Sequence, residues 1–383
     1  MEIIAKLAGF GDTFLSYLWY LPPFLFVLTV VVFFHELGHF LVARWCGVTV
    51  KTFSIGFGKE IFGFNDRKGT RWRLSWIPLG GYVKFLDDEN AASVPDRAAL
   101  EAMTEEERAG AFQDKPLAHR AAVVAAGPIA NFLLAIVIFA FMFTFIGQRT
   151  TAPRVDAITP GGAAAEAGFQ TGDLVTDIDG EPIESFGEMQ RIVSESADKT
   201  LRIVVLRGDT EIVLEATPKL KEIKDRFGTR RHGLLGIRRS ASPDDWILQK
   251  HDPFTATWMA TKETYFVVSR TLVYLYRVII GREPADQLGG PLRIAQVSGE
   301  VANLGFLPLL NLAAILSVSI GLINLFPIPM LDGGHLMFYG IEAVRGRPLS
   351  ERSQEIGFRI GLAVVLMLMI FATWNDLIHF SSL

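Results

Sequence analysis

Four stretches of the 383-residue chain meet or approach the ~20 apolar residues that a membrane-crossing helix requires. They run from about Tyr17 to Val42, Ala121 to Ile146, Leu304 to Phe326 and Phe358 to Trp374. The first has Lys6 as its one preceding basic residue and no small-residue cleavage site, so it is expected to be a retained span rather than a secretory leader. Between the second and third stretches the pattern shifts to short β-like runs, Arg154–Ile158, Asp173–Ile178, Leu201–Leu206 and Glu211–Ala216, around one helical stretch, Ser185–Ser194. Thr264–Ile280 is apolar but interrupted by Arg270 and Arg277, which predicts an interfacial helix with both arginines towards water.

Composition explains the segregation. The chain is 50% hydrophobic and 20% charged, with a mean hydropathy of +0.31. That is too apolar for an ordinary soluble protein and too charged for one wholly within lipid. A net charge of −4 excludes nucleic-acid binding driven by bulk positive charge. A single cysteine, Cys46, excludes an intramolecular disulfide framework and any metal site built on several thiolates.

Lysine and arginine set the orientation, because short cytoplasmic loops carry their excess. Arg44, Lys51, Lys59, Arg67, Lys68, Arg71, Arg73 and Lys84 follow the first span, and Lys115 and Arg120 precede the second. Arg345, Arg347 and Arg352 lie between the third and fourth, while the last nine residues contain no Lys or Arg. Both connections are therefore expected inside, with both termini and the 147–303 segment outside.

The candidate chemistry lies where segregation fails. His35-Glu36-Leu37-Gly38-His39 stands inside the first apolar stretch. Histidines at i and i+4 share one helix face and can direct ring nitrogens at one zinc ion, with Glu36 placed to take a proton from its water. His35 is twelve residues past Pro23 and nine before Arg44, so it lies roughly 18 Å and 14 Å from these helix ends at ~1.5 Å per residue. Ionisable groups at that depth are a functional signal. A catalytic zinc usually has three protein ligands. Asn324-Leu-Phe-Pro327-Ile-Pro329-Met-Leu-Asp332-Gly333-Gly334-His335 offers two candidates for the third, Asp332 and His335. Its prolines cannot continue a regular helix, and unwound backbone at membrane depth must be buried in protein or line a water-filled cavity.

Together with His35-Glu36-x-x-His39, the motifs Gly56-Phe57-Gly58, Gly80-Gly81-Tyr82-Val83-Lys84, Gly127-Pro128-x-x-Asn131 and Asn324-x-x-Pro327-x-Pro329-x-x-Asp332-Gly333 occur in order along nearly the whole chain. Pro160-Gly-Gly-Ala-Ala-Ala-Glu-Ala-Gly168-Phe-Gln-Thr-Gly172-Asp173, followed by Asp179-Gly180, resembles a bacterial PDZ domain, a peptide-binding module that adds a strand to a sheet edge. A β-rich spacer is the plainer reading of that segment. The set resembles the site-2 protease family of intramembrane zinc metalloproteases, in its bacterial sigma-E-regulating type.

The resemblance implies a polytopic α-helical membrane protein with four transmembrane helices, a membrane-associated β-rich loop and an inserted PDZ-like α/β domain. The implied division is 1–49, first span; 50–118, cytoplasmic β-rich loop, dipping into the membrane; 119–147, second span; 150–220, PDZ-like domain; 221–303, linker and interfacial helical region; 304–340, third span; 341–357, cytoplasmic loop; 358–376, fourth span. It implies one zinc ion held by His35, His39 and Asp332, with Glu36 as acid/base and Asn131 steadying the reacting carbonyl. Asn324, Gly56, Phe57 and Gly58 are implied in substrate handling. Strand content in Val50–Phe57 and Arg71–Phe85 offers an edge to an unwound substrate. Implied substrates are single-span membrane proteins, such as an anti-sigma factor already cut by a site-1 protease, or remnant signal peptides. The implied location is a bacterial inner membrane, with lipid as a partner, no nucleic acid, and a periplasmic PDZ-like domain. Relatives of this type often carry two PDZ domains in tandem, whereas 147–303 has room for one. A zinc protease acting on soluble peptides would place its site outside the apolar stretch, and a membrane PDZ scaffold or transporter would bind structural zinc without cleaving anything.

Overall fold

The computed structural model describes residues 19–88, 103–225, 228–239, 245, 247–285 and 288–381. Lys6, Tyr17 and the end of the basic-free C-terminus at 382–383 lie outside them. In chain order the elements are α1 (Leu21–Trp45), β1 (Val50–Asn65), β2 (Arg71–Phe85), α2 (Leu117–Phe141), β3 (Gln148–Thr150), β4 (Ala157–Ile158), β5 (Leu174–Ile178), β6 (Glu181–Pro182) and α3 (Phe186–Glu195). There follow β7 (Leu201–Arg207), β8 (Thr210–Ala216), β9 (Lys219–Asp225), β10 (Gly228–Leu234), β11 (Ile237–Arg238) and β12 (Ile247–Gln249). The chain ends in five helices, α4 (Pro253–Ile279), α5 (Pro291–Asn303), α6 (Phe306–Asn324), α7 (Asp332–Arg345) and α8 (Glu351–Ser381). Among the described residues four helices are long and apolar enough to cross a membrane, within Leu21–Trp45, Leu117–Ile146, Phe306–Asn324 and Arg352–Ile378.

The chain divides into two compact units, one of residues 1–140, 257–273 and 288–382, the other of 141–256 and 274–287. In the first, α1 begins on Pro22-Pro23, where prolines cost no helix hydrogen bond. It ends with Arg44 in its last turn, the charge that suits a helix C-terminus. Val27 and Val31 pack on Leu309 and Ala313 of α6. Phe40 packs with Phe53, Val83 and Phe85 of the β-strands. The segment assigned to the third span, 304–340, holds two helices, as its prolines predict: α6 stops at Asn324, before the two prolines, and α7 starts afresh at Asp332.

The β-rich loop is longer and more folded than its composition suggests. Val50–Ile55 pairs with the 81–85 end of β2, whereas Phe57–Asn65 pairs with 71–77 of the same strand. Thr52–Ile55 also runs beside 71–74, both numbers rising together, so this row is flanked on both sides. The edge expected on Val50–Phe57 is thus largely covered, and the outer rows are 81–85 and 60–65. Arg44 holds the Asp66 carboxylate, which also accepts from Trp72 Nε1 at 3.1 Å, fastening the hairpin to α1. Ile61, Phe62, Trp76 and Ile77 remain exposed, Trp76 at 70%.

The second unit is built on the antiparallel sheet β6-β5-β7-β8. Alternation puts Leu201, Ile203 and Val205 inside and Arg202 outside. Asp179-Gly180 joins β5 to β6 with both φ angles positive, 53° and 88°, as a two-residue type I′ turn demands. Ser185 and Glu188 form the capping box that starts α3. The unit does not end at residue 220. β9 and β10 form a further hairpin, β11 pairs with β4, and Leu235 joins the core of Val155, Val175, Ile178 and Val193. Those late strands escape a sequence reading because half of Lys219–Leu234 is charged.

Asp173 is the buried charge of this unit. Arg207 grips both its oxygens at 2.8 Å, and the Gln170 N–H donates at 2.8 Å. Burial raises the Asp173 pKa, but those bonds outweigh it and hold the carboxyl below the usual carboxylate range. Asp173→Asn is expected to lower the unfolding free energy of the unit by about 2 kcal/mol at neutral pH, read as faster hydrogen exchange in β5 and β7. The contribution is complete above the ~3.9 of an unfolded Asp and is lost as pH falls through the lower folded value. Variant and parent should therefore converge in acid.

Candidate metal centre

His35 and His39 share one face of α1, their Nε2 atoms 3.2 Å apart. Asp332, the first residue of α7, brings Oδ2 to 3.2 Å from His35 Nε2 and 3.6 Å from His39 Nε2. A tetrahedral zinc site with bonds of ~2.0–2.1 Å has ligand–ligand edges of about 3.3–3.4 Å. The three sides of this triangle bracket that value. Asp332 Oδ2 is also a buried oxygen left without a hydrogen bond of good geometry, a costly state that a cation relieves. The donor set, its spacing and the orphaned oxygen all fit zinc.

The outer contacts set the ring tautomers. His39 Nδ1 lies 2.8 Å from the Val123 carbonyl, which can only accept. Nδ1 therefore carries the proton, and the Nε2 lone pair is directed at the triangle. His35 Nδ1 lies 3.3 Å from the Asn131 amide, whose Oδ1 is buried without a partner. Turning that amide over, an assignment that rests on the hydrogen-bond network, lets Oδ1 accept from His35 Nδ1–H. It leaves the His35 Nε2 lone pair free as well.

Close approach makes this possible. A Cβ on Gly127 would lie 2.2 Å from His39 Nε2 and 2.9 Å from His35 Cε1, and a Cβ on Gly38 would meet Ala126 and lie 2.7 Å from Ala130 Cβ. Gly321 of α6 sits against Asn131 and Pro128 in the same way, each 3.1 Å from its ideal Cβ. Ser317, fully buried, donates to the Asn131 carbonyl at 2.8 Å. Small residues at helix crossings let backbones meet where lipid offers no hydrophobic drive.

Glu36 is partly buried beside 81–85: a Cβ on Gly81 would lie 2.9 Å from Glu36 Cγ, and the Val83 N–H lies against the carboxylate. His335, the rival ligand, is packed against Phe358 of α8 with ring centroids 5.3 Å apart. Among the described residues the one group of three possible ligands within 4.8 Å is His35, His39 and Asp332. Asn324 donates to the Ile320 carbonyl of its own helix at 3.1 Å. Gly56 and Gly58 have φ of 85° and 88°. Their carbonyls accept from Ser54 Oγ at 2.9 Å and Arg73 Nη2 at 2.5 Å, and Phe57 stacks on Tyr82. Val123, Ser317 and Val83 escape sequence reasoning, since two act through backbone atoms and a serine in an apolar helix carries no signal. The i, i+4 pair Ser317 and Gly321 was the available hint of a small-residue crossing.

The family profile described as Peptidase family M50 matches residues 23–368. A protein of Mesorhizobium japonicum named as a zinc metalloprotease is 50% identical over 359 residues, covering 93% of this chain and 98% of its own. The regulator of sigma-E protease RseP of Escherichia coli is 31% identical, covering 94% of this chain and 99% of its own. That alignment is 461 positions long and takes in 94% of this chain, about 360 of its 383 residues, so roughly 100 of its positions have no counterpart here. Among solved structures, the PDZ domain of the SdrC-like protein of Listeria monocytogenes is 28% identical, covering 26% of this chain and 92% of its own, with a TM-score of 0.18.

Gly127→Ala puts a methyl group where the two imidazoles lie. It is expected to weaken zinc binding by about 10–100-fold, the range seen when ligand orientation is disturbed, while the protein still inserts in membranes. Chelator competition on the purified variant measures it.

Proposed function

The chain belongs to peptidase family M50, the site-2 proteases, and is a zinc metalloendopeptidase of the membrane; from that premise we propose that it cleaves single-span membrane proteins within the bilayer. The observation that carries the proposal is the triangle of His35, His39 and Asp332, built on an apolar helix about midway between Pro23 and Arg44.

In this reading His35, His39 and Asp332 hold the zinc. Zinc bound there supplies Lewis acidity and a water made acidic enough to act as a nucleophile near neutral pH. Glu36 is the base in this reading: its carboxylate would take a proton from the attacking water and return it to the departing amine. Asn131 fixes the His35 ring through Oδ1, and its Nδ2 is then left to donate to the carbonyl under attack. Val123 keeps His39 in the matching tautomer.

The substrate reaches the site as an extended strand, because a helical peptide bond is shielded by its own hydrogen bonds. Row 81–85 is the favoured edge, since Gly81 stands against Glu36 and Thr52–Ile55 is flanked on both sides. Gly56, Phe57 and Gly58 lie within β1 where its pairing passes from 81–85 to 71–77, and Asn324 is the last residue of the helix leading to Asp332; both are assigned to substrate handling. The exposed Ile61, Phe62, Trp76 and Ile77 suit a loop that dips into lipid.

The charge pattern favours both termini and the PDZ-like unit on the periplasmic side of an inner membrane, with the two basic connections in the cytoplasm. Substrates are then proteins already shortened outside by a site-1 protease, such as an anti-sigma factor, or remnant signal peptides. The PDZ-like unit screens them by size or by their new C-termini. α4 lies in the interface, with Phe254 and Tyr265 exposed among its apolar positions.

Glu36→Gln keeps the ligands and removes the base. The variant is expected to retain wild-type zinc content while cleaving a single-span reporter about 10²–10⁴-fold more slowly. Equal cleavage by variant and parent would refute the mechanism.

A further inference from the structure

His35 and His39 are placed by a continuous helix, but Asp332 is not. It follows Leu325–Leu331, a non-helical segment with Met330 at φ 95°, so α6 does not rigidly determine where the carboxylate lies. Gly333 and Gly334 pack closely on the carbonyls of Leu325, Phe326 and Ile328, where a Cβ would lie within 2.4 Å. A second tie lies further along α7.

Ten residues after Asp332, Glu342 accepts from Arg120 Nη2 at 2.5 Å, with side-chain exposures of 15% and 13%. The same guanidinium lies over the Tyr339 ring, 5.0 Å from its centroid, and donates through Nε to the Lys115 carbonyl at 3.2 Å. Arg120 belongs to α2. That helix also supplies Val123 to His39, Gly127 to both imidazoles and Asn131 to His35.

The spacings match. From Arg120 to Asn131 is eleven residues, and from Glu342 back to Asp332 is ten, or roughly 16 Å and 15 Å of helix. α2 and α7 therefore run antiparallel with two cross-links, the ion pair at one end and the ligand cluster at the other. A planar, two-sided guanidinium contact fixes direction better than a point charge does.

We infer that Arg120 and Glu342 are positioning residues for the metal centre: their ion pair references α7 to the helix that already orients both histidines, and so sets the Asp332 carboxylate at ligand distance. The inference rests on His35, His39 and Asp332 being the zinc ligands.

The test uses the full-length protein in detergent or liposomes and reads zinc affinity by chelator competition, the unfolding midpoint of the zinc-free protein, and reporter cleavage with zinc saturating. Glu342→Gln is expected to weaken zinc binding about 10-fold, the lower end of the range for lost supporting contacts. The zinc-free midpoint should stay close to that of the parent, and most cleavage should return at saturating zinc. Arg120→Lys, which keeps the charge but loses the planar fork, is expected to give a smaller loss. The exchange Arg120→Glu with Glu342→Arg should recover affinity relative to either single change, which keeps the test decisive if one single variant fails to fold. Unchanged zinc affinity in Glu342→Gln overturns the proposal. So does a fall in the zinc-free midpoint with zinc affinity intact, which marks a purely structural pair. Asp332→Asn separates the two layers. Loss of zinc there with Glu342→Gln unaffected overturns the positioning role alone, whereas full zinc retention by Asp332→Asn overturns the ligand assignment and this inference with it.

Discussion

A carboxylate and two imidazoles can sit in an apolar helix only if each of their polar atoms has a partner. Here the partners are distributed: Val123 for one ring, Asn131 for the other, Asp332 and, in the proposed reading, a zinc ion for the atoms turned inward, and the 81–85 row for Glu36. Every other feature of the first unit follows from supplying them. α2 must come close enough to touch both rings, α6 must support Asn131 through Ser317, and the chain must break after Asn324 so that an acid can return to the same depth.

Close approach is achieved with small side chains. Gly38, Gly127 and Gly321 lie where helices meet, and Gly81 where the sheet meets Glu36. Van der Waals contact and hydrogen bonds between backbones replace the hydrophobic drive that a soluble core would use. Apolar side chains are spent differently in the two units. The second buries them between a sheet and a capped helix, with Asp173 and Arg207 as its internal charge pair. The first leaves many of them outward, on α8 and on the β1–β2 loop, where a lipid phase would be their solvent.

The β-rich loop connects the two chemistries of the proposed reaction. A helix does not present its peptide bonds, and a sheet edge is a template for unwinding one. Folding β1 and β2 back on themselves fills the inner row and leaves 81–85 beside Glu36. One loop therefore both seals the α1 face and offers backbone groups at the place where the carboxylate stands.

Much was legible in the chain itself, because some patterns are physically local. Apolar runs of the right length mark four candidate spans whatever surrounds them, His35 and His39 must share a face if their segment is helical, and Pro327 and Pro329 must end α6. The I′ turn at Asp179-Gly180 and the capping box at Ser185 are similarly self-contained. Composition could not choose between Asp332 and His335, which are three residues apart in one helix. That choice depends on which side chain faces α1, and tertiary packing turned His335 towards Phe358. Nor could it reveal Val123, Val83 or Ser317, whose contributions are made by backbone atoms or by a hydroxyl in an apolar run. The long reach of the second unit to Leu235 and the doubled-back sheet were hidden for the same reason. Strand pairing and helix crossing are relations between distant segments, and only the folded chain decides them.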